Sequence, residues 1–278
     1  MNEVSVSNPI SSLFLGTSAW GLKVNKTEAY RILETFYGNN FRWIDTSTNY
    51  PIDGSPENYG QTITWLSEFC KDFPELKIFV KVGSANNLGD STQLVNASYF
   101  ALIIDLISNK FSNCFGGMGI HWDNDESSSD RSQIVKQFLE LNEKGFAVGL
   151  SGIKKSENYA TNEIGINLPW ILQKNVSPIR MAEGVKEIIS SRITFPKAKI
   201  YGYNLLGGIK ATGIPNDKGR LEYLGEFIQG GSSPRADDQL EPLIRYVNSL
   251  KINGIIVGPT TVAQCQNWCT IIDRLSFV

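Results

Sequence analysis

Short apolar runs alternate with longer amphipathic segments along the whole chain. The run SLFLGTSA at residues 12–19 has the length of a strand, and the next segment places Ala29, Ile32, Leu33 and Phe36 at helical spacing. The same alternation continues through residue 275 and predicts eight strand–helix units. The predicted strands cover residues 12–19, 41–46, 77–83, 113–122, 146–152, 164–170, 198–206 and 254–258.

Strands that alternate with helices predict a parallel sheet, because parallel neighbours need a crossover connection. Eight such units in 278 residues fit a closed (β/α)8 barrel of about 250 residues. No linker interrupts the pattern, so residues 1–278 are expected to form one barrel domain. A glycine-rich stretch at residues 207–235 follows the predicted seventh strand, where the loops of such barrels carry function.

Composition and charge narrow the class of protein. The net charge is −2 and the charges are mixed, so no basic surface for nucleic acid is expected. No apolar run reaches membrane-spanning length, and the stretch MNEVSVSNPISS lacks the features of a signal peptide. The sequence therefore predicts a cytoplasmic protein with neither nucleic acid nor membrane as partner.

The cysteine and histidine content argues against a metal site. The four cysteines include no CxxC pair, and Cys265 and Cys269 are four residues apart on one predicted helix. The chain has one histidine, which leaves too few ligands for a cluster. The cysteines are predicted to be free buried thiols.

Four residues with acid–base chemistry fall at the ends of three successive predicted strands. Asp45 ends the second strand and Tyr50 follows it, Lys81 is near the end of the third, and His121 ends the fourth. Each has a plain alternative: a turn cap, a loop aromatic, a surface ion pair or a satisfied core histidine. Their shared placement at one rim favours a joint role.

The chemistry of these four groups is coherent. A lysine between Val80 and Val82 is costly to bury without a partner, and Asp45 on the neighbouring strand can supply one. The lysine ammonium is expected to favour the phenolate of Tyr50 and to lower its pKa. The set would protonate or deprotonate an oxygen at a carbon centre.

These residues resemble those of the aldo-keto reductase superfamily. DTSTNY at residues 45–50 resembles that family's DTAxxY, VKVG at residues 80–83 its TKvG, and IHWDN at residues 120–124 its vHWPD. FLGTSAWG, SPENYGQTI, YNLLGG and IIVGPTTVAQCQN resemble further family segments on the first strand, the second helix and the seventh and eighth strands.

The resemblance implies hydride transfer between NADP or NAD and a carbonyl or alcohol. Tyr50 would be the general acid, Lys81 and Asp45 would tune it, and His121 would orient the substrate. Trp20 and Trp122 would line an open pocket together with the loop at residues 123–130.

The same resemblance implies a set of cofactor contacts. Ser151 and Asn167 would hold the carboxamide, unless they are plain strand-end polar groups, and Tyr203 would stack on the nicotinamide, unless it is a plain barrel aromatic. The remaining implied contacts line the pyrophosphate and the adenosine end: Leu205, Leu206, Gly207, Gly258, Thr260, Thr261 and Gln264.

Several positions depart from the family pattern. Gly152 replaces an asparagine, Asn167 stands where a glutamine is common, and Gln264 occupies a place where many NADP-dependent members carry arginine. Because Gln264 has no guanidinium to bind the extra phosphate of NADP, the sequence favours NADP less and leaves NAD open. Lys251 and Lys210 are candidate substitutes for the missing arginine. An alternative interpretation is a regulatory subunit that binds nucleotide with negligible turnover. Substrate, direction and oligomeric state are left open, with a sugar as one candidate substrate.

Overall fold

The computed structural model describes residues 12–83, 86–88, 96–123, 130–177, 180–205 and 245–278. Eight parallel strands close into a barrel in chain order, from β1 beside β2 round to β8 beside β1. The strands are β1 Leu13–Gly16, β2 Trp43–Ser47, β3 Lys77–Val82, β4 Phe115–His121, β5 Ala147–Ser151, β6 Ile171–Asn175, β7 Lys199–Tyr203 and β8 Gly254–Val257. The predicted barrel is confirmed.

Helices cover the outside of the barrel. They are α1 Lys26–Gly38, α2 Gln61–Phe69, α3 Ala97–Phe111, α4 Arg131–Glu143, α5 Glu163–Asn167, α6 Met181–Thr194 and α7 Val262–Ile271, and residues 245–250 are also helical. α1 begins where the Asn25 side chain accepts a hydrogen bond from the Glu28 amide, which satisfies a donor of the first turn. Within the described residues, no helix is long and apolar enough to cross a membrane.

A compact group of side chains fills the barrel interior. The ring of Phe14 lies 4.9 Å from Tyr201 and 5.2 Å from Trp43, measured between centroids. A Cβ at Gly119 or Gly149 would come within 2.9 or 2.8 Å of the Phe79 ring, so these glycines give that ring its room. The interior group consists of Phe14, Trp43, Phe79, Ala147, Ile171, Tyr201 and Ile256.

The predicted position of the sixth strand is wrong. Residues 164–170 were expected to form it, but Glu163–Asn167 is the helix α5, and the strand is Ile171–Asn175. Asn162 caps that helix by accepting a hydrogen bond from the Gly165 amide at 3.0 Å. The strand escaped the apolar pattern because Gln173 and Lys174 within it are polar although buried.

The cysteines are free thiols, as predicted. Cys114, Cys265 and Cys269 are buried, whereas Cys70 is partly exposed.

Candidate active site

The four predicted acid–base residues come together at the carboxyl ends of β2, β3 and β4. Asp45 lies in β2, Lys81 in β3 and His121 at the end of β4, while Tyr50 follows β2. All four side chains are buried. The register that pairs Ser47 of β2 with Lys81 of β3 brings these strand ends to one level.

Lys81 joins Asp45 to Tyr50. Its Nζ lies 2.5 Å from Asp45 Oδ2 and 3.4 Å from the Tyr50 hydroxyl. Burial alone would lower the pKa of Lys81, but the charge of Asp45 and the contacts with Asp45 and Tyr50 raise it above its ordinary value of 10.5. Lys81 is therefore a buried ammonium beside the phenol.

The pKa of Tyr50 moves opposite to the sequence expectation. Burial raises it above the ordinary value of 10.0, and this outweighs the lowering effect of the Lys81 charge. Asp45 adds to the rise because its negative charge disfavours a phenolate nearby. Tyr50 consequently carries its proton at neutral pH, which is the form that a general acid needs.

His121 is a neutral imidazole beside this group. Burial and the Lys81 charge hold its pKa well below the ordinary value of 6.5. Its Nδ1 lies 2.9 Å from Ser47 Oγ, and its ring centroid lies 6.1 Å from that of Tyr50. The imidazole therefore stands next to the phenol as a hydrogen-bonding group rather than as a cation.

A fifth buried polar residue reaches the group from the far side of the barrel. Gln173 of β6 donates from Nε2 to Asp45 Oδ1 at 2.6 Å, so both carboxylate oxygens have donors. Gln173 also pairs in register with Ser151, the last residue of β5. Sequence reasoning missed it because the sixth strand was placed too early; the amide directly after the apolar run Trp170–Leu172 was the available signal.

The strand-end amide predicted at Asn167 is supplied by another residue. Asn167 lies in α5, is partly exposed, and donates from Nδ2 to the Glu163 carbonyl at 2.9 Å. The residue that occupies β6 next to Ser151 is Gln173. The strand-end position expected for Asn167 is therefore wrong.

Comparisons with known proteins agree with this fold and these motifs. A model described as the aldo/keto reductase family matches residues 12–99, which contain Asp45, Tyr50 and Lys81. No curated protein matches the chain. Among solved structures, an aldo-keto reductase from Bacillus halodurans in its holo form is 13% identical, with a TM-score of 0.61, over 97% of this chain and 88% of its own. A protein from Pseudomonas aeruginosa, provisionally named an aldo-keto reductase, is 16% identical, with a TM-score of 0.62, over 96% and 92%.

The chain is similar to the aldo-keto reductase superfamily over residues 12–99 and in its barrel fold. The solved structures show its fold, and the matched segment carries three of the four acid–base residues.

Two of the residues that the resemblance implies as cofactor contacts lie at the carboxyl-end rim of the barrel. Ser151 ends β5 and is buried, and Tyr203 ends β7 and is half-buried against the interior group. Leu205 is buried just beyond Tyr203. Leu206, Gly207 and the predicted loose stretch after them lie outside the described residues, as does Lys210.

The residues predicted at the adenosine end form the start of α7. Thr261 caps this helix by accepting from the Gln264 amide at 3.2 Å, and Gln264 Oε1 accepts from the amide and hydroxyl of Thr260 at 2.8 and 3.0 Å. Gly258 directly follows β8. Lys251 cannot replace the missing arginine, because it precedes β8 and so lies at the amino end of the barrel.

Trp20 does not line an open pocket as predicted. Its side chain is fully buried, and its ring packs edge-on against Phe69 of α2 with centroids 6.2 Å apart. Trp20 therefore belongs to the layer between barrel and helices.

Trp122 covers His121 at the rim. The two rings are stacked with centroids 4.1 Å apart. Gly152 makes this possible: a Cβ there would lie 2.2 Å from Trp122 Cδ1, and its φ of +65° disfavours other residues. The indole thus occupies the space that a side chain at residue 152 would need.

Replacing Gly152 with alanine is expected to destabilise the protein through both backbone and crowding. The backbone part is about 1–2 kcal/mol, and the forced displacement of Trp122 adds about 1–3 kcal/mol. Gly145→Ala is the matched control, because Gly145 has a φ of +87° and a Cβ added there would meet nothing within 4 Å. Urea unfolding should give Gly152→Ala a lower free energy of unfolding than Gly145→Ala. Equal free energies would contradict the packing of Trp122 on Gly152.

Proposed function

We propose that this protein transfers hydride between a nicotinamide dinucleotide and a small carbonyl or alcohol, with Tyr50 as the general acid and base. The observation that carries the proposal is the contact of the buried Tyr50 hydroxyl with Lys81, whose ammonium is held by Asp45. His121, neutral and adjacent, completes a site for handling a proton at an oxygen atom.

The strand ends of β5, β6 and β7 fit the nicotinamide end of such a cofactor. They offer a hydroxyl at Ser151, an amide at Gln173 and a half-buried aromatic ring at Tyr203. Gln173 uses Nε2 for Asp45, which leaves its Oε1 to accept from the amino group of a carboxamide. These three residues would hold the ring and its amide, and Gln173 takes the place first assigned to Asn167.

In the reducing direction the protein's residues handle the proton. A bound nicotinamide dinucleotide would supply the hydride. Tyr50 donates its phenolic proton to the carbonyl oxygen, and Lys81 stabilises the phenolate that remains. His121 donates a second hydrogen bond to the same oxygen. In the oxidising direction Tyr50 takes the proton back.

Cofactor binding and turnover can be measured separately. The chain has six tryptophans, so titration with NADPH and NADH can be followed by fluorescence quenching. We expect wild type and Tyr50→Phe to bind the same cofactor with similar affinity, because the substitution leaves Ser151, Gln173 and Tyr203 unchanged. The same titration decides between NADP and NAD. The sequence leaves this choice open because Gln264 provides no guanidinium for the extra phosphate of NADP.

A panel of aldehydes, ketones and sugars then tests the reaction class. Consumption of reduced cofactor by wild type, and its loss in Tyr50→Phe, is the expected result. Tight binding without turnover of any substrate in either direction would instead favour the regulatory role. Binding of neither cofactor would overturn the oxidoreductase proposal.

A further inference from the structure

The Ser47 hydroxyl is surrounded by three hydrogen-bonding atoms although it carries one proton. Its Oγ lies 2.6 Å from Asn49 Oδ1, 3.1 Å from the Lys81 carbonyl oxygen and 2.9 Å from His121 Nδ1. Ser47 and Asn49 are both fully buried, so their side chains are not in contact with bulk solvent. The destination of the single Ser47 proton therefore determines whether His121 Nδ1 accepts or donates.

The Lys81 carbonyl oxygen needs the Ser47 proton least among the three neighbouring atoms. It already accepts a hydrogen bond from the Thr48 amide at 3.0 Å. The choice lies between Asn49 and His121.

The side-chain amide of Asn49 settles the choice. With its oxygen towards Ser47, its buried NH2 group has no partner among the described residues, which is destabilising. Half a turn of the amide brings the NH2 group to Ser47 Oγ instead, and the oxygen takes the unpartnered position. Buried carbonyl oxygens without a partner are better tolerated than buried N–H groups. In this orientation Asn49 donates to Ser47, and the serine proton is free for His121.

We infer that Asn49 and Ser47 are positioning residues that set the tautomer of His121: Asn49 Nδ2 donates to Ser47 Oγ, Ser47 donates to His121 Nδ1, and the imidazole proton resides on Nε2. Nε2 is the ring nitrogen that points away from Ser47 and is left to donate to the oxygen of a substrate. The assignment rests on the proposed function only for this last contact, since the tautomer itself is a property of the free protein.

The charge state of His121 makes the tautomer matter. A protonated imidazole would donate from both nitrogens whatever Ser47 does, whereas a neutral one donates from a single nitrogen. His121 is buried and lies near the Lys81 ammonium, and both hold it neutral. Asp45 and Tyr50, the other titratable groups nearby, pair with Lys81 rather than with the imidazole.

The sequence makes the decisive measurement simple. His121 is the only histidine in the chain, so a 15N-labelled sample gives one pair of imidazole nitrogen signals. Long-range 1H–15N correlation at pH 7 distinguishes the protonated from the unprotonated nitrogen. The expected spectrum of the wild type is that of the neutral Nε2–H tautomer.

Two variants test whether Ser47 and Asn49 are responsible. Ser47→Ala removes the donor and should mix the two tautomers, and it should lower kcat/KM roughly tenfold, the value of one hydrogen bond. Asn49→Asp places an acceptor-only group beside Ser47 and should shift His121 towards the Nδ1–H tautomer. Thr46→Val is the matched control, because Thr46 is buried in the same strand and its hydroxyl has no partner among the described residues.

The outcomes separate this inference from the proposed function. An Nδ1–H tautomer in the wild type, or an Nε2–H tautomer that survives Ser47→Ala unchanged, overturns it. An Nε2–H tautomer that is lost in Ser47→Ala and kept in Thr46→Val supports it. That result supports it even if no carbonyl substrate is found, in which case the proposed function alone fails.

Discussion

Replacing Tyr50 with phenylalanine is expected to lower kcat for carbonyl reduction by about 100- to 10,000-fold, the range of general acid catalysis. The substitution removes the phenolic oxygen, which Lys81 contacts, and keeps the aromatic ring that fills the buried site. Stability and cofactor binding should therefore change little. Steady-state assays with excess cofactor measure the effect.

The pH dependence provides an independent check of the same role. The pKa of Tyr50 is raised above 10.0, so its acid form is complete at neutral pH. The reduction rate should stay level through neutral pH and fall only at strongly alkaline pH, whereas oxidation, which needs the phenolate, should rise with pH.

Tyr59→Phe is a suitable control for the Tyr50 variant. Its hydroxyl lies 3.5 Å from Thr48 Oγ1, outside the group formed by Asp45, Lys81 and His121. Activity in Tyr50→Phe within a few-fold of wild type would mean that another group supplies the proton.

Replacing Lys81 with methionine is expected to destabilise the protein by about 3–5 kcal/mol, because it leaves the carboxylate of Asp45 buried without its counter-charge. Lys81 and Asp45 are both nearly inaccessible, and Gln173 would still donate to the carboxylate without supplying a charge. The double variant Lys81→Met with Asp45→Asn removes both charges and should recover much of the loss. Urea unfolding at pH 7 measures all three proteins.

The sign of the pH effect follows from the raised pKa of Lys81. A group whose pKa is higher in the folded state contributes stability below its unfolded pKa, about 10.4 for lysine. Wild type should lose this contribution as the pH rises above that value, and the methionine variant should show no such loss. A loss of under about 1 kcal/mol in the single variant would contradict a charged buried pair.

The sequence was sufficient for the parts of the site that follow regular strands. Asp45, Lys81 and His121 each fall at or near the end of an apolar run, and parallel strands in chain order bring such ends together. Their placement could therefore be predicted from periodicity and from the barrel alone. Their chemical roles stay predictions.

The sequence predictions that failed concern features that depend on interactions between distant segments. The polar side chain of Gln173 interrupts the apolar pattern of β6. Its role is to donate to Asp45, 128 residues earlier, and the local sequence does not reveal that contact. The pKa of Tyr50 depends on a balance between burial and two charges, and composition does not reveal which of them dominates. Trp20 was expected in the pocket, but its burial depends on how α2 packs.

The contact between Gln173 and Asp45 has a consequence for how the barrel assembles. The first four strands and the loop after β2 contain all four acid–base residues, so a half-barrel that ended after β4 would carry the complete set in its sequence. It would nevertheless leave one oxygen of Asp45 without the donor that β6 provides. Because an unsatisfied buried carboxylate is costly, the acid–base residues and closure of the ring stabilise each other. The site is consequently a product of the whole barrel, because a residue of the later half of the chain completes the hydrogen bonds of Asp45 in the earlier half.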